Sequence, residues 1–260
     1  MIVTLLTDFG LEDEYVGVMK GVILGINPSA VLVDLSHQVS PGDVVRAGWL
    51  LAWSWTYFSK GTVHVVVVDP GVGSKRQILC LEHKGHIFLG PDNGVLSQVA
   101  AGVRSPRFHA VTNRRYLLSP VSHTFHGRDI MAPAAGHLSK GLSPSRLGSP
   151  VREFKKLSSP PVVSSAGRLT GQVIGFDRFG NAVSNLPARH VLQFKRRKGM
   201  VRIRVKGHSV GGLRPSYTSV SPGSPLAIIG SHDLLEIAVN QGSACRKLRL
   251  KIGDPVDVRA

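Results

Sequence analysis

A chain of 260 residues makes one large domain or two smaller ones and buries about 70–75% of its unfolded surface, so its core needs no disulfide or structural metal. Its two cysteines, Cys80 and Cys245, sit far apart in apolar contexts, which excludes a disulfide scaffold and fits a reducing compartment. The formal charge of +16 is uneven: residues 1–100 carry 6 Lys and Arg against 9 Asp and Glu, and residues 101–260 carry 26 against 7.

The N-terminal stretch Ile2–Thr7 reads as a strand and runs straight into Asp8, with no basic leader and no small-residue cleavage site. The longest low-polarity stretch, 47–58, falls short of the about 20 apolar residues that span a bilayer. A cytoplasmic, membrane-free protein is the expectation. Helical spacing of Val16, Met19, Val22, Ile23 and Ile26 predicts a helix over Tyr15–Ile26, stopped by Asn27-Pro28. A strand follows at 31–35, then a helix capped by Asp43 that carries Val44, Val45, Leu50, Leu51, Trp53 and Trp55. The next strand, 63–68, is apolar throughout except for His64, as expected when both its faces are covered. This β-α-β-α-β order predicts an α/β fold whose N-terminal domain is a mostly parallel, helix-covered α/β/α sheet.

Short strands at 78–81 and 87–89, a turn at Gly90-Pro91-Asp92-Asn93-Gly94, a short helix near 95–101 and a helix over 129–138 complete that domain, which spans residues 1–139. Residues 140–167, rich in Ser, Pro, Gly and Lys, read as a linker. Strands at 172–176, 201–205, Pro225–Ile229, Leu234–Val239 and 248–252, with no long helical period, predict a smaller all-β domain over 168–260.

Two segments carry the chemistry. Val68-Asp69-Pro70-Gly71-Val72-Gly73 ends a buried strand in an acid followed by Pro and two Gly, a sequence that lets backbone approach a ligand closely. Arg76, seven residues on, can hold that carboxylate ionised. Thr124-Phe125-His126-Gly127-Arg128-Asp129 places a histidine just before a helix. Acids at strand ends and a histidine at a helix start are functional positions of an open α/β sheet. Asp8, in Thr7-Asp8-Phe9-Gly10, can grip a ribose diol or simply cap a loop; no Gly-rich loop or His-Arg-Asp precedes it, so the kinase reading of Asp-Phe-Gly fails. His83-x-x-His86 and His123-x-x-His126 lack the partners of a zinc site, Gly71-x-Gly73 lacks the full dinucleotide fingerprint, and no Walker loop is present. Downstream, Asp177-Arg178-Phe179-Gly180-Asn181 reads either as an Asx turn or as a polar turn with one aromatic planted for stacking. The basic runs at Arg114-Arg115, Lys155-Lys156, Lys195-Arg196-Arg197-Lys198 and Arg202, Arg204, Lys206 suggest a polyanion, or merely a solvated surface; aromatics for base stacking are not interleaved with them.

Together these motifs, with Ser231 and Leu235-Glu236-Ile237-Ala238, resemble the S-adenosyl-L-methionine hydroxide adenosyltransferases, relatives of the fluorinase and chlorinase. The motifs stand in that family's order and cover nearly the whole chain; 139–167 and 195–214 are the least similar parts. The resemblance implies hydrolysis of S-adenosyl-L-methionine to adenosine and L-methionine with no cofactor and no metal, in a homotrimer whose sites lie at subunit interfaces, between one subunit's N-terminal domain and its neighbour's C-terminal domain. It implies that Asp69, Arg76 and His126 position and polarise the water, and that Asp8 binds the ribose hydroxyls. It implies that Asp177, Phe179, Asn181 and Ser231 meet the methionine and adenine portions, with Glu236, Val239 and Asn240 nearby through side chain or backbone. Halide-using relatives replace the positions of Asp69 and His126, and the fluorinase has an extra loop; this chain keeps both residues, which favours water over halide. Gly42, His232 and Val239 depart from the halogenases, which carry an aromatic at the first position and arginine at the other two. The remaining alternative is a basic polyanion- or nucleic-acid-binding protein on the same fold.

Overall fold

Alternating β-branched runs and helical apolar stripes set the order of the first 157 residues. The computed structural model describes every residue except Gly102 and Ala166. It divides into two units, Met1–Leu157 and Ser158–Ala260. The first contains β1 (Ile2–Thr7), α1 (Tyr15–Ile26), β2 (Val31–Ser36), α2 (Val44–Ser54), β3 (Val63–Val67), β4 (Ile78–His83), β5 (His86–Pro91), α3 (Ser97–Ala100), β6 (Arg107–Ala110), α4 (Ala132–Ser139) and β7 (Pro150–Val151).

Helix α1 forms because Val16, Met19 and Ile23 share one buried face, and it stops at Asn27, whose amide still donates to the Ile23 carbonyl before Pro28. Helix α2 starts where the Asp43 side chain accepts from the Arg46 amide at 2.9 Å, a cap that contributes about 1 kcal/mol. On one face of the sheet α1 and α4 pack over Val3, Leu5, Val65 and Leu89. On the other, α2 and α3 cover Leu6, Val66, Val68 and Phe88. All five residues of β3 are buried, including His64. Its ring bonds Thr4 Oγ1 on β1 at 2.9 Å and His86 on β5 at 3.3 Å, and burial, with His86 adding, pushes its pKa down to about 3.

The sheet order is β2-β1-β3-β5-β4-β6-β7. Only the β2-β1-β3-β5 part is parallel; β5-β4-β6-β7 is antiparallel, which corrects the expectation of a mostly parallel sheet. The reason is local. Lys84 and Gly85 both take left-handed backbone (φ 49° and 82°), a two-residue hairpin that folds β4 back along β5.

The stretch 140–167 is structured at both ends. Residues 150–151 pair with β6, Phe154 packs on Phe108, and the Leu157 amide donates to Ser97 Oγ. The second unit opens with β8 (Val163–Ser165), paired to β9 (Arg168–Phe176). It continues through β10 (Ala182–Pro187), α5 (Ala188–Lys198), β11 (Arg202–Val205), β12 (His208–Gly211), β13 (Pro225–Ile229), β14 (Leu234–Val239), α6 (Ala244–Lys247) and β15 (Pro255–Arg259). The antiparallel order is β12-β11-β15-β9-β10-β14-β13, and a bridge from Leu213 to Ala227 curls its two edges toward each other into a near-barrel.

This unit is not all-β, because α5 runs for 11 residues. Its inner stripe is only Ala188, Val191 and the half-buried Phe194, one residue per turn among seven Arg, Lys, His and Gln side chains. The expected strand at 248–252 is also corrected: Arg249 is left-handed (φ 51°), Leu248 and Leu250 anchor a loop in the core, and the strand lies at β15.

Candidate active site

Strand order reverses at β1. Helix α1 carries the chain to β2 over one face, and α2 carries it back across the other face to β3, so a crevice opens between the carboxyl ends of β1 and β3. Thr7 pairs with Val67, so Asp8 and Asp69 emerge from adjacent strand ends into that crevice. Asp8, Gly42, Asp69, Phe125 and His126 are among the residues lining its cleft of about 500 Å³.

The Asp69 side chain is 5% exposed and that of Arg76 is 11% exposed. Arg76 Nε donates to Asp69 Oδ1 at 3.0 Å and to Oδ2 at 2.8 Å, and its Nη2 also donates to Oδ2. The same Nη2 lies 2.7 Å from His126 Nδ1. A guanidinium has donors only, so Nδ1 accepts and the neutral ring carries its hydrogen on Nε2. Burial first, then the charge of Arg76, hold His126 below its ordinary pKa, with Asp69 opposing in part. Asp8 Oδ2 accepts from the Gly42 amide at 2.8 Å.

Two loops bring these groups together. A Cβ on Gly73 would sit 2.5 Å from the His123 carbonyl oxygen, and Gly73 has φ +80°, so only glycine lets the loop after β3 close on the loop before His126. Asn93 Nδ2 donates to the Val68 carbonyl at 2.8 Å and pins the end of β3, which gives the Gly90–Gly94 turn a supporting role. His126 precedes a π-helical turn, Gly127–Met131, that leads into α4 with Pro133 in its first turn.

Buried Asp129 anchors this approach. It accepts from the Ser122 amide at 2.8 Å and from Arg128 Nε at 2.6 Å, and Ser122 Oγ in turn accepts from the Phe125 amide at 3.0 Å. Burial raises the Asp129 pKa, but the hydrogen bonds from Arg128 and Ser122 outweigh it and hold it below the usual carboxylate value. The anchoring role of Asp129 was missed from sequence; an acid directly after the His-Gly-Arg run was its only signal. The wall formed by Phe9, Tyr15 and Phe125, with ring centroids 5.1–5.7 Å apart, was missed too.

In the second unit the β9–β10 turn holds three of the expected residues. Asp177 Oδ1 accepts from the amides of Phe179 at 2.9 Å and Asn181 at 2.8 Å, and Oδ2 accepts from Asn181 Nδ2 at 2.8 Å. An Asx turn therefore exists, and it presents Phe179 77% exposed. Glu236 is buried and accepts from Tyr217 Oη at 2.8 Å. Burial pushes its pKa up and Asp177 adds to this, while Tyr217 pulls the other way. Tyr217 is a neighbour that sequence reasoning did not single out. Asn240 Nδ2 donates to the Val220 carbonyl at 2.7 Å, Val239 pairs with Pro225 across the β13–β14 hairpin, and both residues are buried. Ala182 pairs with Ile237 and Pro187 with Leu234, so exposed Ser231, in the β13–β14 turn, lies at the other end of β14 from the Asp177 turn.

Among the described residues no three His, Cys, Asp or Glu side chains are placed to hold a metal ion. No described helix is long and apolar enough to cross a membrane.

Residues 3–148 match the model for the SAM hydroxide adenosyltransferase N-terminal domain, and residues 171–257 match that for the C-terminal domain. A protein of Thermus thermophilus named (R)-S-adenosyl-L-methionine hydrolase is 39% identical over 265 residues, 96% of this chain and 96% of its own length. A protein of the same name from Salinispora tropica is 35% identical, over 98% of this chain and 96% of its own. The crystal structure of an uncharacterized conserved protein from Thermotoga maritima superposes with a TM-score of 0.93 at 37% identity, covering all of both chains.

Proposed function

This chain belongs to the SAM hydroxide adenosyltransferase family, and we propose that it hydrolyses S-adenosyl-L-methionine to adenosine and L-methionine. The observation that carries the mechanism is the forked Arg76–Asp69 pair with Arg76 bonded to His126, beside Asp8 in one cleft.

A sulfonium departs as a neutral thioether, so no acid need protonate the leaving sulfur. The requirement is a water held in line with the C5′–S bond, about 3–3.5 Å from carbon. Its oxygen forms the C5′–O bond while the C5′–S electron pair goes to sulfur and one water proton is taken up. His126 Nδ1 is occupied by Arg76, and Nε2 carries hydrogen, which makes the ring a donor that orients the water oxygen. Asp69 is then the proton acceptor, with Arg76 fixing its position. Asp8, with one oxygen on the Gly42 amide, has its other oxygen for the ribose diol.

Asp177 keeps about one lone-pair site beyond its three bonds and suits the α-ammonium of the substrate. Exposed Phe179 suits the adenine face, with Asn181 as a polar partner, while Glu236, Val239 and Asn240 hold the surrounding backbone and Ser231, at the other end of β14, is assigned to a more distant part of the substrate. A carboxylate lining the cleft repels fluoride and chloride, which favours water. The reading includes a homotrimer with substrate bound at subunit interfaces, a cytoplasmic location and no cofactor. It also includes preference for the (R) sulfonium epimer, as in the names of the relatives.

The test is incubation with each resolved epimer, with and without halide and with and without EDTA, followed by product identification and by sedimentation of the protein. Adenosine from the (R) epimer that is unaffected by EDTA is expected. Absence of adenosine, or its replacement by 5′-halo-5′-deoxyadenosine, would overturn the reading.

A further inference from the structure

The charge excess of the second unit is not used by a cationic substrate. Residues 158–260 hold 16 Lys and Arg against 5 Asp and Glu. The acids are committed: Asp257 to Arg168 and Arg259, Asp254 to Lys206, Asp177 to its own turn, and Glu236 to Tyr217, while Asp233 lies in the β13–β14 turn. What remains includes a cleft of about 390 Å³ formed where α5 ends, β11 begins and the chain leaves β12.

Lys195, Arg202 and Arg214 line this cleft with Ser209 and the backbone of Gly211 and Gly212; no Asp or Glu lines it. All three cations are exposed, and among the described residues none has a side-chain hydrogen bond or ion pair. Cations in the last turn of α5 complement the helix dipole, which accounts for Lys195 and its neighbours Arg196, Arg197 and Lys198. It does not account for Arg202 on a strand or Arg214 in a loop facing the same hollow. Neither Gly211, with open space at its Cβ position, nor Gly212 puts a side chain between the cations and a ligand.

We infer that this cleft binds the phosphodiester backbone of a nucleic acid strand. Three cations line the cleft, and Arg196 and Lys198 in the same last turn of α5 extend the positive charge beside it, while Arg197 lines a separate hollow with His190 and Gln193; charge spread beyond one hollow suits a polymer better than a free anion. A lipid surface fits less well, since Met200 is the one exposed large apolar side chain among the described lining residues, Leu213 being half-buried and Val201 buried, while Val191 and Phe194 of α5 turn inward. With no aromatic residue lining the cleft, binding is independent of base sequence. The site stands apart from the hydrolytic reading and does not depend on it.

The experiment is fluorescence anisotropy of labelled single-stranded RNA with the full chain, titrated from about 50 to about 200 mM salt. It compares wild type, the triple variant Lys195→Ala/Arg202→Ala/Arg214→Ala, and a charge-matched control, Arg107→Ala/Arg114→Ala/Arg115→Ala. Loss of three phosphate contacts lowers the slope of log K against log salt by about 2, so wild type should lose about 20-fold more affinity than the cleft variant across that range. The control should bind like wild type, and all three should release adenosine at one rate. Equal RNA affinity and slope in wild type and cleft variant would overturn the inference. So would binding of tripolyphosphate or anionic vesicles, but not RNA, at the cleft. Loss of adenosine release with normal RNA binding would instead count only against the hydrolase reading.

Discussion

Acidification from about pH 7 to about pH 5 should weaken the first unit by about 2 kcal/mol through His64 alone. The ring has no exposed surface, bonds Thr4 and His86, and stacks 4.9 Å from Phe88. Burial and the adjacent His86 put its folded pKa at about 3, against 6.5 for a free histidine. Above 6.5 both folded and unfolded chains leave it neutral, and stability is independent of it. Below 6.5 the unfolded chain binds a proton that the folded ring refuses, so stability falls by about 1.4 kcal/mol per pH unit until the folded pKa is reached. The assay is urea unfolding of wild type and His64→Gln at a series of pH values, each referred to its own stability near neutrality. His83, His86, His126 and His137, whose pKa values are also lowered, titrate in both proteins and largely cancel in the comparison. Wild type should lose about 2 kcal/mol more than the variant. Parallel curves would refute the reasoning. The Thr4–His64 bond also ties β1 to β3, the two strands that end in Asp8 and Asp69.

Arg76→Lys keeps the charge but not the fork to Asp69 and His126, and adenosine release should fall about 10²–10³-fold with little change in thermal midpoint. Gly73→Ala should destabilise by more than about 1 kcal/mol and reduce turnover, because the new Cβ meets the His123 carbonyl; unchanged melting and unchanged rate would show that the loops need not meet there. The acid limb of kcat/KM should lie below 6.5, since the proposed mechanism uses the neutral His126 ring and its pKa is lowered; a limb at or above that value would mean Arg76 and burial do not hold it. Asp69→Asn should lower kcat far more than it raises KM, and Asp8→Asn should chiefly raise KM; steady-state kinetics on the two variants separates these roles.

Residues whose pattern is strictly local were legible in the sequence. The α1 stripe, the Asp43 cap and β3, apolar except for His64, each follow from side chains within a few positions of one another. The meeting of Asp69, Arg76 and His126 was expected from resemblance and from the strand-end position of the acid, but its hydrogen-bond directions needed coordinates. Elements that depend on distant partners were not legible. Strand β6 is four residues long and exists through β4 and β7; α5 hides a narrow apolar stripe under charge; and β12 is defined by its pairing with β11. Antiparallel β4 could have been read from Lys84-Gly85, the turn signal between two short strands. The partnership of Tyr217 with Glu236 spans 19 residues and leaves no periodic trace.

The split between the two aspartates follows from where charge moves. In the ground state the unit positive charge sits on sulfur. As water attacks and the thioether leaves, that charge passes to the incoming oxygen until its proton is lost. A carboxylate beside the oxygen therefore interacts more strongly with the transition state than with bound substrate, and only such a difference accelerates the step. In the proposed mechanism Asp69, held against Arg76 and His126, is the group in that position. Asp8, bonded to the Gly42 amide and, on the same proposal, to ribose hydroxyls that do not change, would bind both states alike and so contribute to KM. Two carboxylates and one guanidinium, with His126 neutral, leave the cleft at about −1, attracting a sulfonium cation and losing that attraction once methionine and adenosine have formed. The cationic cleft of the second unit has the opposite sign, so on our proposal a nucleic acid strand and the substrate would not compete for the same groups.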